Sequence, residues 1–424
     1  MITGEERRYA VDADTPSSHV AMTVEMVPVD VNVEVAVIDE IQMLRDQSRG
    51  WAWTRALLGI AADEIHLCGE EAAINIVRGL LDPIGEHVEV HLYERKTPLI
   101  LSREALKRLD NVQDGDCLVC FSVSMLFSVA KSLMNLGIQP TIIYGALPPW
   151  TKLNQAKIFN EMSRKPNVMV ATDAVGMGLN LNIRSTFKVT TLRPLDMPLL
   201  RAFMGEPIKP IETAGIAPTC EQLETFSYHL PHASFLSIID MFISISSLSK
   251  SFHLCDIEQF RKLAELIDDI PLSMKVRYAF CTAPVDMEFD NGISRACFVR
   301  IARRFSEGQA INYNWFCEII QWPLPRPTSI TMLLDLCKLY NLIDLYLWLS
   351  YKFPDMFPER EKVRQLGKLI ESYISEALTT ISNITTSMHD DEMEEERCFE
   401  ELADSSDPKG VVVYLSVRDE KLKY

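Results

Sequence analysis

Two carboxylates and an amide follow a short apolar run, where Val35-Ala36-Val37-Ile38 leads directly into Asp39-Glu40-Ile41-Gln42. Four consecutive apolar residues, two of them Val and one Ile, predict a strand buried on both faces of a parallel sheet. Ligands of such sheets sit in the crevice outside the carboxyl ends of the strands. An acid pair at that position suits a hard divalent cation and an attacking water. In nucleotide hydrolysis, Asp39 would hold Mg²⁺ (or Mn²⁺), Glu40 would orient the water, and Gln42 would complete the motif. A strand that merely meets solvent at an acidic turn explains the same letters, so the neighbouring elements decide.

A second acidic string, Asp63-Glu64-Ile65-His66, spells a DExH box. A metal-binding pair needs a buried strand before it, whereas here a helical pattern precedes and the apolar strand follows. This string is rejected as the metal site. A different chemistry is offered by Thr172-Asp173-Ala174-Val175-Gly176-Met177-Gly178-Leu179-Asn180, which follows the strand-like Asn167–Ala171. Two glycines two apart let backbone N–H groups approach a phosphate or a nucleic-acid backbone closely. An ordinary glycine turn fits equally well.

The elements around these residues alternate. A helix is predicted over Trp51–Ala62, a strand over Glu64–Gly69, a helix over Ala72–Leu81 and a strand over Val88–Leu92. Residues 93–113 read as a linker and a helix. A second unit then runs through strand Cys117–Phe121 and helix Ser124–Leu136, which Gly137 stops. Strand Thr141–Tyr144, helix Thr151–Met162 after Pro148-Pro149, and strand Asn167–Ala171 complete it. Strands alternating with helices imply parallel sheets.

Beyond about Glu212 the pattern becomes helical, with helices over 222–228, 235–244, 257–267, 295–305, 330–340, 343–353 and 361–378. The fold class is therefore α/β followed by all-α, divided as 1–92, 93–211, 212–380 and an acidic, disordered tail over 381–424. Trp315, Trp322, Tyr346, Trp348 and Tyr351 could stack bases, but their helical spacing favours core packing. The apolar Val411–Val417 has no obvious partner.

The net charge of −17 argues against a surface that coats nucleic acid generally, yet residues 388–410 carry −8 of it. A local basic channel is thus compatible with the composition. No apolar run approaches the roughly 18 residues of a membrane span, and the first residues do not read as a signal or transit peptide. Ten cysteines lack paired spacing. Cys117 and Cys120 are three apart on a predicted strand and point to opposite faces, so free thiols in a reducing compartment are expected rather than a metal site.

Several motifs occur in a fixed order: the acidic strand, Tyr144-Gly145-Ala146-Leu147-Pro148-Pro149, Val170–Asn180, Pro271-Leu272-Ser273-Met274-Lys275-Val276-Arg277-Tyr278, and Leu345-Tyr346-Leu347-Trp348-Leu349-Ser350-Tyr351. Together they resemble the Suv-type mitochondrial ATP-dependent RNA helicases, superfamily-two enzymes of the mitochondrial RNA degradosome, over residues 1–378. The resemblance implies two RecA-like lobes, both incomplete here, and a C-terminal helical region. It implies ATP with Mg²⁺ or Mn²⁺, RNA as substrate, polynucleotide phosphorylase as partner and a mitochondrial matrix location.

Carried over by position, Asp39, Glu40 and Gln42 resemble motif II, with Asp39 as the metal residue. His66–Glu70 falls in the motif III region, and Phe121-Ser122 resembles motif IV. Thr172, Asp173, Gly176 and Gly178 resemble motif V, which faces nucleotide and RNA. Thr3, Gly4, Thr23, Tyr144 and Gly145 lie in segments expected to touch RNA.

The chain also departs from this pattern. It contains no G-x-x-x-x-G-K-[ST], and its one Gly-Lys, Gly367-Lys368, lies in the helical region. No Gly-Arg dipeptide occurs, and Asn182-Ile183-Arg184 runs into sequence that the family has only after its arginine-rich motif VI. A strand and that motif are expected to be missing. The 424 residues alone are therefore expected to hydrolyse ATP poorly; the alternative is a chain that binds RNA or a partner without catalysis.

Overall fold

A computed structural model describes the chain except residues 13, 14, 16, 95–98, 162–165, 177, 182–186, 231, 286–291, 380–412 and 418–424. It divides into two compact units, each assembled from separate stretches of sequence. The first comprises Met1–Leu92, Ile208–Pro323 and Asn341–Gln365; the second comprises Tyr93–Pro207, Leu324–Tyr340 and Leu366–Tyr424.

The first unit opens with β1 (Asn32–Ile38), α1 (Gly50–Gly59), β2 (Ala61–Leu67) and α2 (Ile74–Leu81). β1 and β2 pair in parallel, with Val35 opposite Glu64 and Val37 opposite His66. The expectation of a strand buried on both faces is corrected. Ala36 and Ile38 are buried, but Val33, Val35 and Val37 are 37%, 54% and 65% exposed. The reason is the size of the sheet: β1 pairs only with β2 among the described residues, and the core including Trp53, Leu57, Ile76 and Leu80 covers the Ile38 side. Val88–Leu92, expected as a strand, forms none because no described strand lies beside it.

The second unit contains β3 (Leu99–Leu101), β4 (Cys117–Val119), α3 (Val123–Asn135), β5 (Thr141–Ile143), α4 (Pro149–Asn160), β6 (Met169–Ala171), β7 (Phe187–Thr191) and α5 (Met197–Gly205). The described part of residues 93–113 thus holds a strand and a 3₁₀ turn at Leu109–Asn111 rather than the expected helix. α3 ends as expected. Gly137 donates to the Met134 carbonyl at 2.9 Å and Ile138 to Leu133 at 2.9 Å, which satisfies the last carbonyls of the helix.

The later chain adds β8 (Ala214–Ile216), α6 (Cys220–Tyr228), α7 (Phe235–Ile245), β9 (Phe252–Leu254), α8 (Glu258–Leu266), α9 (Met274–Cys281), α10 (Ile293–Ser306) and α11 (Tyr313–Ile319) to the first unit. α12 (Ile330–Lys352), α13 (Arg360–Thr379) and β10 (Val413–Val417) follow. The two helices expected over 330–353 are one, because neither Gly nor Pro interrupts Tyr340–Ile343. β8 and β9 form a short parallel pair that no sequence pattern announced. No described helix is long and apolar enough to cross a membrane.

The sheet of the second unit has the order β3-β7-β10-β4-β6-β5. Its strands run parallel except β10, which is antiparallel to both β4 and β7. Val411–Val417 therefore has a partner for its described part. The tail over 381–424, expected to be disordered, is corrected at Val413–Val417, which forms β10; its other residues lie outside the described residues.

Candidate functional site

The acid pair stands where β1 ends. Asp39 is exposed and Glu40 half-buried, and Glu40 adopts a left-handed backbone (φ +55°, ψ +45°) that turns the chain sharply off the strand. The Asp39 side-chain Oδ1 accepts the Glu40 N–H at 2.9 Å, and the Trp53 indole Nε1 donates to the Asp39 carbonyl at 2.9 Å. Gln42 is buried and ties the turn to the end of β2. Its Nε2 donates to the Glu40 carboxylate, and its Oε1 accepts the Glu70 N–H at 3.2 Å.

The parallel ladder continues into this turn: Cys68 donates to Ile38 at 3.0 Å and Ile41 to Cys68 at 2.9 Å. Glu70 also pairs with Arg45 at 3.2 Å. Gln42 thus fixes the rotamer of Glu40, and the β2 terminus fixes Gln42. The approach is close enough that a Cβ on Gly69 would lie 2.3 Å from Gln42 Oε1.

Among the described residues no group of three His, Cys, Asp or Glu side chains could hold a metal unaided. The donor set fits a hard cation only if other oxygens complete its shell, as phosphate and water do for Mg²⁺. Asp39 would be the protein ligand. The rejected string Asp63–His66 lies inside β2, where its side chains alternate between faces, with His66 paired to Glu64 at 3.0 Å.

In the second unit, Thr172 follows β6 directly and its backbone N–H donates to Ile143 of β5 at 2.9 Å. Its buried hydroxyl accepts the Ala174 N–H at 3.4 Å and caps the turn Asp173–Val175, which Gly176 closes by donating to Asp173 at 2.8 Å. Gly178 has φ +74°, a conformation that suits glycine, and no atom stands within 4 Å of its missing Cβ. This loop opens to its surroundings at Gly178; Met177 lies outside the described residues. Phe121 is exposed and Ser122 caps α3, accepting the Met125 N–H at 3.1 Å. β4 and β6 are neighbours, so Phe121, Ser122 and Thr172 leave the same end of the sheet.

Tyr144 requires correction as an RNA-contact candidate. Its side chain is fully buried, edge-on to Phe127, with its hydroxyl 3.3 Å from the Cys337 thiol. Burial, with the neighbouring thiol, pushes the phenol well above its usual range. Gly145 beside it is exposed, and its carbonyl accepts Lys152 Nζ at 2.7 Å.

In the first unit, Thr3 is half-buried and accepts the Glu6 N–H at 3.0 Å, while a Cβ on Gly4 would touch Trp348. Arg7 and Arg360 lie over Tyr351, at 4.4 Å and 4.1 Å from the ring centre. Thr23 is exposed and donates its backbone N–H to Ile2 at 3.1 Å. Of the aromatic cluster, Tyr346 is buried with its hydroxyl on the Ile311 carbonyl at 2.8 Å, a core role.

Trp53 is the residue that sequence reasoning missed; nothing in its spacing from Asp39 signals the indole-to-carbonyl bond. Cys117 and Cys120 are buried, and burial pushes both thiols up to about 12, so they remain neutral at physiological pH.

Residues 1–93 match the family model described as the DEXQ-box helicase domain of Suv3, 262–306 match Suv3 C-terminal domain 1, and 333–380 match the ATP-dependent RNA helicase SUV3 C-terminal domain. The chain is 48% identical over 417 residues to the mitochondrial ATP-dependent RNA helicase SUV3 homolog of Caenorhabditis elegans, covering 91% of this chain and 58% of that protein. It is 42% identical over 426 residues to the mitochondrial ATP-dependent RNA helicase SUPV3L1 of Homo sapiens, covering 91% and 54%. The SUPV3L1 of Danio rerio is 41% identical over 426 residues, with 91% and 56% covered. The chain thus spans little more than half the length of these relatives. With a DE-x-Q turn seated at the end of a parallel strand, the chain is similar to the Suv3 helicases in segments at three places along it.

Proposed function

We propose that this protein is an ATP-dependent RNA helicase that unwinds RNA during mitochondrial RNA turnover. The observation that carries the reading is the hydrogen-bonded set Glu40–Gln42–Glu70, which locks an acid pair at the carboxyl end of β1. Asp39 is assigned to the divalent ion that accompanies ATP, Mg²⁺ or Mn²⁺, and such an ion neutralises charge on the phosphates. Glu40 orients the attacking water, and Gln42 holds Glu40 in place. Thr172, Asp173, Gly176 and Gly178 face nucleotide and RNA from the second unit, with Phe121, Ser122 and Gly145 as RNA contacts. Thr3, Gly4 and Thr23 serve the RNA path of the first unit. A matrix location and polynucleotide phosphorylase as degradosome partner follow from the family resemblance.

One sequence observation favours a second reading, RNA or partner binding without catalysis. Neither a G-x-x-x-x-G-K-[ST] nor a Gly-Arg is present in these 424 residues. Removing an arginine finger alone costs about 10³–10⁵ in rate.

ATP hydrolysis by the purified 424-residue chain, with and without single-stranded RNA, separates the two. RNA-stimulated turnover that Glu40→Gln abolishes supports the helicase assignment for the chain itself. RNA binding without turnover above Glu40→Gln supports the second reading. Absence of both would sink the two together.

A further inference from the structure

Among the described strands of its sheet, β10 alone runs against the others, and it lies more than 200 positions after its neighbours in the sequence. It pairs with all three residues of β4, placing Val413, Tyr414 and Leu415 opposite Val119, Leu118 and Cys117. On its other edge it pairs with all five residues of β7, from Thr191 opposite Val413 to Phe187 opposite Val417. No other described strand bridges the two halves. Without β10 the sheet becomes a β3-β7 pair and a separate β5-β6-β4 set. Leu118, Val170 and Ile142 of that set are essentially inaccessible to solvent, so the edge exposed at β4 would lie in the middle of a core. Unpaired backbone N–H and C=O groups at such a place are costly.

We propose that Val413–Val417 is a strand donated by the chain to itself, filling a strand-wide acceptor slot between β4 and β7. The slot is a binding site for one extended segment of backbone, recognised chiefly by its main-chain hydrogen bonds. Because β4 leads into Phe121-Ser122 and its neighbour β6 leads into Thr172, filling the slot also steadies the end of the sheet that bears the candidate site. Val413–Val417 is therefore a structural part of the second unit.

Hydrogen exchange on the full 424-residue chain tests this. Leu415→Pro removes a ladder donor and breaks the extended strand. The amides of Cys117–Val119 and Phe187–Thr191 are expected to exchange at least about tenfold faster in this variant, while Thr141–Ile143, which pair only with β6, keep their protection. A synthetic peptide of residues 410–418 added to the variant is expected to restore the lost protection. Unchanged exchange at β4 and β7 in Leu415→Pro would overturn the proposal.

If the variant loses protection everywhere, the Val119→Cys, Val413→Cys double variant of the otherwise intact chain decides. Peptide mapping after mild oxidation is expected to find an intrachain 119–413 disulfide. Its failure to form, or its formation only between two chains, would refute self-donation.

Discussion

A Cβ on Gly69 would lie 2.3 Å from Oε1 of Gln42. The glycine just past β2 and the glutamine that follows the acid pair therefore depend on each other. Gln42 can reach the Glu70 N–H only because position 69 has no side chain. Gly69→Ala is expected to push Gln42 aside, release Glu40 and cost about 1–3 kcal/mol of stability. Urea unfolding measures the cost. An unchanged midpoint would show that the turn relaxes around the methyl.

In the loop after β6, Gly178→Ala isolates backbone from packing. Nothing stands within 4 Å of the added carbon, so the whole penalty comes from φ +74° and is about 1–2 kcal/mol. A calorimetric scan is expected to show the loss, with Gly178→Asn milder than Gly178→Ala because Asn tolerates the left-handed region.

Tyr351 sits under two guanidinium groups, those of Arg7 and Arg360, and its hydroxyl accepts from Arg364 at 2.8 Å. Tyr351→Ala is expected to free the segment around Arg7, since each cation–π contact contributes about 0.5–2 kcal/mol. Amide exchange over residues 2–8 reads the effect. Tyr351→Phe keeps the ring and is expected to leave those amides protected; equal exchange in both variants would show that the hydroxyl, not the ring, holds the segment.

Three buried thiols of the second unit set an alkaline limit. Burial pushes Cys117 and Cys120 up to about 12 and Cys337 up to about 11, from an ordinary value near 9. The folded state holds these protons more tightly than the unfolded one. Their contribution to stability is therefore complete below about pH 9 and is lost as pH rises towards 11–12, by at most about 1.4 kcal/mol per thiol per pH unit. The urea midpoint is expected to fall between pH 8 and pH 10.5. In parallel, iodoacetamide at pH 8 is expected to modify the exposed Cys68 and spare these three. Rapid labelling of Cys117 in the folded chain would contradict both expectations.

Local chemistry made much of this legible. The apolar run before Asp39, the glycine after α3 and the proline pair before α4 each act within a few residues, and the structure places strand, cap and helix start accordingly. What could not be read depends on distant partners. β1 looks buried on both faces because Val and Ile say nothing about how many strands join a sheet. Tyr144 looks available because its burial is decided by Phe127 and by Cys337, 193 positions away. β10 finds its neighbours nearly 300 and more than 220 positions upstream, beyond any periodicity in the sequence. At the candidate site, the acids could be named from spacing, but Trp53 could not, since its bond to Asp39 exists only once α1 has folded back on β1.

The exposed row Val33, Val35 and Val37 has a consequence for handling the protein in solution. At low salt the charge of −17 keeps molecules apart at long range. At 0.15 M that repulsion reaches only about 8 Å, and three neighbouring valines offer contact attraction beneath it. Added salt should therefore make the chain less soluble, turn its second virial coefficient negative and increase its binding of apolar dyes, the opposite of what its acidic composition alone would lead a purifier to expect.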